Sequence, residues 1–242
     1  TPELLLCFVY GAAVEAPSVA SLHAAREEFS NGLGDGPMTI TFVAQSRGVQ
    51  RCSPEDRDFV EEELFVAGRG TLRYRQKLGQ FSNPNPYVAV STVEWLLEVV
   101  RGAVNTVDGT PSTDLLELYC GAGSHTVALA PLFRHVLAVE INRHLVDAAK
   151  HNVVANGLHN VSVLRAPSEK FCQRLIRQRS YMEEGSKMEL HFTCTIVDPP
   201  RAGLDDLTRE AVSNYEHVMY ISCNPEALRR DLEGLLATHD VH

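Results

Sequence analysis

Apolar and polar positions change rhythm along this chain, and the change divides it in two. From Tyr87 onward, short apolar runs of buried-strand length alternate with stretches of helical spacing. Asp114 to Tyr119, His135 to Glu140, Val161 to Leu164, Cys194 to Asp198 and His217 to Ser222 read as strands. Helices are predicted from Ser124, from Asn142, from Ser168, over Asp205 to Asn214 and over Pro225 to Leu236. Val90, Val93, Leu96, Leu97 and Val100 give a further helix over Tyr87 to Val104. Five strands with intervening helices predict an α/β fold built on a parallel, doubly wound sheet.

The first 86 residues read as a smaller mixed α/β unit. The pattern predicts a strand at Leu4 to Tyr10, a helix at Pro17 to Phe29 and a strand at Met38 to Ala44. After a charged loop from Arg51 to Asp58 come short β segments at Glu63 to Val66, Thr71 to Gln76 and Lys77 to Phe81. Asn83-Pro-Asn-Pro86 marks the boundary, because two closely spaced prolines disfavour helix until just after them. The expected domains are residues 1–86 and 87–242.

Composition narrows the function classes. In 242 residues, 44% hydrophobic content suffices for a sizeable core. No apolar run approaches the roughly 18 residues needed to span a bilayer, and Leu4 to Ala13 is short and lacks a basic flank, so a soluble protein without membrane contact is expected. Cys7, Cys52, Cys120, Cys172, Cys194 and Cys223 are scattered without a C-x-x-C pair, which predicts neither a disulfide framework nor a metal site. A reducing, intracellular compartment fits, the cytoplasm before the mitochondrion or nucleus. A formal net charge of −9 argues against non-specific coating of nucleic acid, so local basic stretches must carry any RNA contact. The start at Thr1 and the end at Val241-His242 suggest a fragment of a longer protein.

Leu115-Leu-Glu-Leu-Tyr119-Cys-Gly121-Ala-Gly123-Ser124 reads as a strand running into a glycine turn that opens a helix. A dinucleotide fingerprint would want a third glycine where Thr126 stands. Glu140 ends the next strand, where a carboxylate can accept both hydroxyls of an adenosine ribose. The pattern suits S-adenosylmethionine better than NAD.

Two further loops follow the last two strands. Asp198-Pro-Pro-Arg201-Ala-Gly203 and Ser222-Cys223-Asn224-Pro225 would lie side by side beyond the carboxyl ends of a parallel sheet, bringing together a carboxylate, a guanidinium and a thiol. The plain reading of an intracellular cysteine is a small packing residue, and Cys120 is read that way. Cys223, just past a strand end, has the position of a nucleophile. Asp-Pro-Pro could serve methylation of an exocyclic amine, but such sites follow the prolines with an aromatic residue, and here Arg201 follows. A thiolate adding at C6 of a pyrimidine would make C5 nucleophilic enough to take a methyl group. A thiol of ordinary pKa is only roughly 3% ionised at pH 7, so the charge of Arg201 would matter.

The segments LLELYCGAG, VLAVEIN, HNVVANG, IVDPPRAGLD and YISCNPEAL together resemble the tRNA (uracil-5-)-methyltransferase family, over Phe81 to His239 and more faintly before it. The resemblance implies a Rossmann-like class I methyltransferase domain, S-adenosylmethionine as cofactor, and methylation of the T-loop uridine of tRNA. It makes Cys223 the nucleophile and implies that Tyr119, Glu140 and Asp198 contact the cofactor or the base beside it, where the glycine turn already places Gly121. Asn83 stands where the family often has Gln, and Ser124 where it often has Asn; both polar positions are kept as cofactor contacts. The family's His-His-x-Glu segment, whose Glu takes the C5 proton, does not occur in this sequence.

Candidate phosphate contacts are Arg73 and Arg75, with Arg69, Tyr74 and Lys77 around them, then Arg201 and the run from Arg174 to Arg179. Such runs are commonly solvated faces. Two rival readings remain: the same reaction on rRNA, and an inactive RNA-binding or tRNA-folding module. Retention of both Cys223 and Glu140 argues against the second.

Overall fold

The computed structural model describes residues 3–9, 24, 28, 39–46, 49–52, 57–104, 106–107, 109–178, 181–182 and 188–242. Two compact units emerge: residues 1–62 with 75–80, and residues 63–74 with 81–242.

In the first unit, β1 (Glu3–Val9) pairs in parallel with β2 (Thr39–Ser46), and β2 pairs antiparallel with β3 (Val49–Cys52). The strand at Val49–Cys52 occupies the start of the stretch that the sequence reads as a charged loop. Apart from Ala24 and Glu28, which are helical, the helix expected at Pro17 to Phe29 lies outside the described residues. β4 (Phe59–Val66) and β5 (Gly70–Lys77) form a hairpin whose outer part, 63–74, belongs to the second unit. β5 runs through Lys77 and ends there, because Gly79 takes a positive φ and Gln80 N–H turns back to the Lys77 carbonyl. The separate β segment expected at Lys77 to Phe81 is therefore absent.

The second unit is built on five parallel strands: β6 (Asp114–Leu118), β7 (His135–Glu140), β8 (Val161–Arg165), β9 (Phe192–Val197) and β10 (His217–Tyr220). Their order is β8-β7-β6-β9-β10, so the switch point falls beside β6 and β9. All five residues of β6 and all six of β7 are buried, as expected where helices cover both faces.

The faces alternate with the period of the pleat. Leu115, Val136 and Ile196 turn to the side holding α1 (Pro86–Ala103), α2 (Ser124–Leu129) and the outer hairpin, where Val93, Leu96, Leu97, Val127, Leu72 and Tyr74 pack. Leu116, Leu118, Leu137 and Val197 turn to the side holding α4 (Ser168–Gln178), α5 (Asp206–Val212) and α6 (Pro225–Leu235). Helix α3 (Arg143–Ala155) follows β7 and is capped by the Asn142 side chain. Pro86 starts α1 because Asn85 accepts the Tyr87 and Val88 amides while proline supplies the first turn.

Candidate functional site

The loops at the carboxyl ends of β6, β7, β9 and β10 hold most of the candidate residues, in two groups. The first surrounds the glycine turn. Tyr119 leaves β6 with φ of 61°, and Gly121 and Gly123 follow at 57° and 79°, so three positions in five are left-handed and the chain reverses tightly into α2. A Cβ on Gly121 would meet nothing within 4 Å, whereas one on Gly123 would lie 3.3 Å from Ala149. Gly123 thus allows α2 and α3 to approach, and Gly121 leaves the backbone open.

Glu140 is buried at the end of β7. Its Oε2 accepts the Gly121 amide at 3.1 Å and its Oε1 accepts the Asn142 amide at 2.7 Å. A carboxylate offers about four acceptor sites, so about two remain for a ligand's hydroxyls. Ile141 follows it with 59% of its surface exposed, an apolar side chain beside the charged one. Sequence reasoning passes over Ile141, because its exposure appears only in the structure and an isoleucine after Glu140 reads as the end of an apolar strand.

Ser124 opens α2, and its carbonyl accepts the hydroxyl of the buried Tyr74 at 3.1 Å. Arg69 donates to the carbonyls of Ala128 and Val127 at 2.6 and 3.2 Å. The outer hairpin therefore grips α2 at both ends. Tyr74 packs in the core rather than offering a face to RNA. The Tyr119 hydroxyl is half-buried, which raises its pKa, against the opposing effect of hydrogen bonding with Thr208. Asn83 is exposed before α1, and its side-chain oxygen accepts the Asn85 amide at 3.1 Å.

The second group lies between the ends of β9 and β10. Cys223 is exposed, whereas Cys120, Cys172 and Cys194 are buried. Burial first, then the charges of Glu117 and Glu140, push the Cys120 thiol well above the ordinary range, which leaves it a packing residue. Burial also raises Asp198 to about 6. The Asn224 side chain binds the two loops together, donating to the Arg201 carbonyl at 2.8 Å and accepting the Glu226 amide at 3.1 Å as the N-cap of α6. Ile221, two residues before Cys223, lines an apolar cleft of about 490 Å³ with Tyr87, Val88, Trp95 and Tyr220.

Beneath the glycine turn lies a buried polar group that the sequence analysis does not identify. Glu117 points from β6 toward α2, pairs with the Thr126 hydroxyl and has one oxygen without a hydrogen-bond partner among the described residues. Burial raises its pKa to about 8, and burial lowers the neighbouring His125 to about 4, so neither carries a full charge at neutral pH. A carboxyl in an otherwise apolar run, LLELY, was the available signal.

The basic positions are less concentrated than the sequence suggests. On the hairpin, Arg73 pairs with Glu63 and Arg75 with Glu61, both at 2.9 Å, and the Arg75 guanidinium lies over the Phe59 ring. Arg174 and Arg177 are exposed on α4, and Arg179 lies outside the described residues. Among the described residues no three His, Cys, Asp or Glu side chains are gathered for a metal ion.

The tRNA (uracil-5-)-methyltransferase family model matches residues 3–242. The chain belongs to this family. A tRNA/tmRNA (uracil-C(5))-methyltransferase of Pseudoalteromonas translucida is 36% identical over 241 residues, which are 99% of this chain and 61% of that protein. A Nitratiruptor counterpart is 40% identical over 204 residues, 84% of this chain and 54% of that protein. The chain thus spans between about half and three-fifths of the length of these relatives. Among solved structures, the Pyrococcus abyssi tRNA (uracil-54, C5)-methyltransferase in complex with S-adenosyl-L-homocysteine superposes with a TM-score of 0.61 at 22% identity, covering 95% of this chain and 49% of that one. In this member of the family that similarity bears on the fold alone.

Proposed function

We propose that this chain carries the cofactor site and nucleophile of an S-adenosylmethionine-dependent RNA uracil-C5 methyltransferase, with the T-loop uridine of tRNA as substrate. The observation that carries the reading is the exposed Cys223 on a loop tied to the Asp198-to-Gly203 loop, at the same end of the sheet as the glycine turn and Glu140. The residues fit the cofactor: Gly121 leaves its backbone accessible, Glu140 keeps acceptor sites for ribose hydroxyls, and Ile141 offers an apolar surface for an adenine ring. Tyr119, Ser124, Asn83 and Asp198 complete the proposed contacts. Bound there, the cofactor would supply a methyl group on a positively charged sulfur.

In this mechanism the Cys223 thiolate bonds to C6 of the uracil, and the C5–C6 electron pair becomes available at C5 to take the methyl group. Loss of the C5 proton to a base then restores the double bond and expels the thiolate. Asp198 is largely ionised at neutral pH despite its burial, and a carboxylate beside a cationic sulfur favours binding. Arg201, with Arg73 and Arg75, are the proposed RNA contacts.

A denaturing gel with SAM and a T-loop hairpin carrying 5-fluorouridine tests the mechanism, since fluorine at C5 cannot leave as a cation and the adduct persists. Cys223→Ala should abolish the adduct and Cys120→Ala should leave it. An adduct that survives Cys223→Ala would remove this thiol from the mechanism, and equal yield on an rRNA hairpin would favour the ribosomal reading.

A further inference from the structure

Asp231 is a fully buried charge that neither the sequence motifs nor the proposed mechanism uses. It lies on the second turn of α6, and its surface exposure is 0%. A buried carboxylate is costly unless each oxygen is matched by donors. Here the two oxygens receive five. Oδ2 accepts the Leu204 amide and the Tyr220 hydroxyl, each at 2.7 Å. Oδ1 accepts Arg209 Nη1 at 3.0 Å and Arg230 Nε and Nη2 at 3.1 and 2.8 Å.

These donors come from four places: the end of the Asp198-to-Gly203 loop, strand β10, helix α5 and helix α6 itself. Arg230 also donates to the Ala202 carbonyl at 2.7 Å, and Asn224 donates to the Arg201 carbonyl at 2.8 Å. Three of the four residues from Arg201 to Leu204 are thereby fastened to α6 or its cap. Gly203, the remaining one, is pressed against the same carboxylate, since a Cβ there would stand 2.4 Å from Asp231 Oδ2 and 2.5 Å from Arg230 Nη2. Helix α6 begins two residues after Cys223.

We infer that Asp231 is the positioning residue that holds the Asp198-to-Gly203 loop in register with the Cys223 loop, so that carboxylate and thiol meet one substrate without prior rearrangement. The inference rests on the methyl-transfer reading for its purpose, but the anchoring itself is independent of that reading. Asparagine cannot replace it, because its amide nitrogen would face either the Leu204 N–H or two guanidinium groups, donor against donor. Among the described residues, no hydrogen bond joins Asp231 to the glycine turn or to Glu140.

Asp231→Asn is the direct test, with hydrogen exchange and single-turnover adduct formation on the 5-fluorouridine hairpin measured together. Exchange should rise about tenfold or more in the amides of 201–204 and 222–226 while residues 120–124 keep their protection. Adduct formation should slow about 10- to 100-fold at saturating cofactor and RNA, with SAM affinity within about twofold of the parent, the pattern of a misplaced reacting group. A general loss of structure would instead raise exchange everywhere. Arg230→Gln, which leaves the carboxylate in place, is the milder variant should Asp231→Asn not fold, and should show the same pattern at smaller amplitude. Unchanged loop exchange, or unchanged adduct rate alongside intact binding, would overturn the anchor. No adduct with the parent protein would overturn the methyl-transfer reading instead, and exchange alone would then decide the anchor.

Discussion

The two halves of the site are held by different means. Around the glycine turn the fixed points belong to the main chain: left-handed φ angles at Tyr119, Gly121 and Gly123, and Glu140 receiving two backbone amides. Around Cys223 the fixed points belong to side chains distant in sequence, with Asp231, Arg230 and Asn224 reaching back 23 to 28 residues to the Asp198 loop. A main-chain cradle tolerates variation in side chains but not in φ. A side-chain clamp has the opposite vulnerability, since one neutral substitution removes several bonds at once.

Titration separates the halves most strongly. Glu117 under the glycine turn is raised by burial to about 8, and Asp198 at the end of β9 to about 6. A raised carboxyl binds its proton more tightly folded than unfolded, so its contribution is complete below the unfolded pKa and is lost as pH rises through the folded one. Between pH 6 and 8 stability should therefore fall with rising pH because of Glu117, at a slope of up to about 1.4 kcal/mol per pH unit. Glu117→Gln should flatten this interval, whereas Asp198→Asn should flatten the slope between about pH 4 and 6 and leave a pH-independent offset above it. Urea melts across this range provide the measurement, and a slope in the upper interval that persists in Glu117→Gln would exclude Glu117 as its source.

Glycine substitutions give a second, local contrast. Alanine at Gly203 combines a φ of 79° with a Cβ driven into the Asp231 carboxylate, and should cost about 2–5 kcal/mol. Alanine at Gly121 carries only its φ of 57°, with open space for the methyl, and should cost about 1–2 kcal/mol. Equal losses on denaturation would mean that the clamp around Asp231 yields to a methyl group.

Ligand binding reverses the ranking. Glu140→Ala should weaken SAM binding about 10- to 100-fold, or about 1.5–3 kcal/mol, through loss of a charged acceptor to the ribose. Calorimetry showing unchanged affinity would remove Glu140 from the cofactor site.

The contrast between the halves also explains what the sequence discloses. Strand β7 at His135–Glu140 is read to the residue and the start of α2 at Ser124 is read directly, because apolar runs end there on glycine or a charged residue, and such punctuation is local. The five-stranded parallel sheet follows from the same alternation. Asp231 is invisible for the converse reason: on an amphipathic helix, Arg229-Arg230-Asp231 reads as a solvated charged stretch, and only the tertiary fold turns Asp231 inward. Glu117 is hidden within an apolar run, and Tyr74 is misread because β5 alternates, so that its arginines face outward while the aromatic ring packs in the core.

The hairpin offers the smallest effect and the finest test. Arg73 and Glu63 are 66% and 60% exposed, and Arg75 and Glu61 are 29% and 51% exposed. Exposed pairs of this kind are worth about 0–1 kcal/mol, so Arg73→Gln should shift stability by less than about 1 kcal/mol. RNA binding should respond differently if the hairpin belongs to the RNA surface. Each cation that reaches a phosphate contributes about 0.7 to 0.9 to the slope of log affinity against log salt, so Arg73→Gln and Arg75→Gln should each lower that slope by about this amount. Glu63→Gln should have the opposite consequence, because removing the partner leaves Arg73 available to phosphate and strengthens binding at low salt. Filter binding of a T-loop hairpin at several salt concentrations reads both changes. Three variants with the parent's slope and affinity would confine these arginines to the hairpin's own ion pairs and leave the RNA contacts to be sought elsewhere.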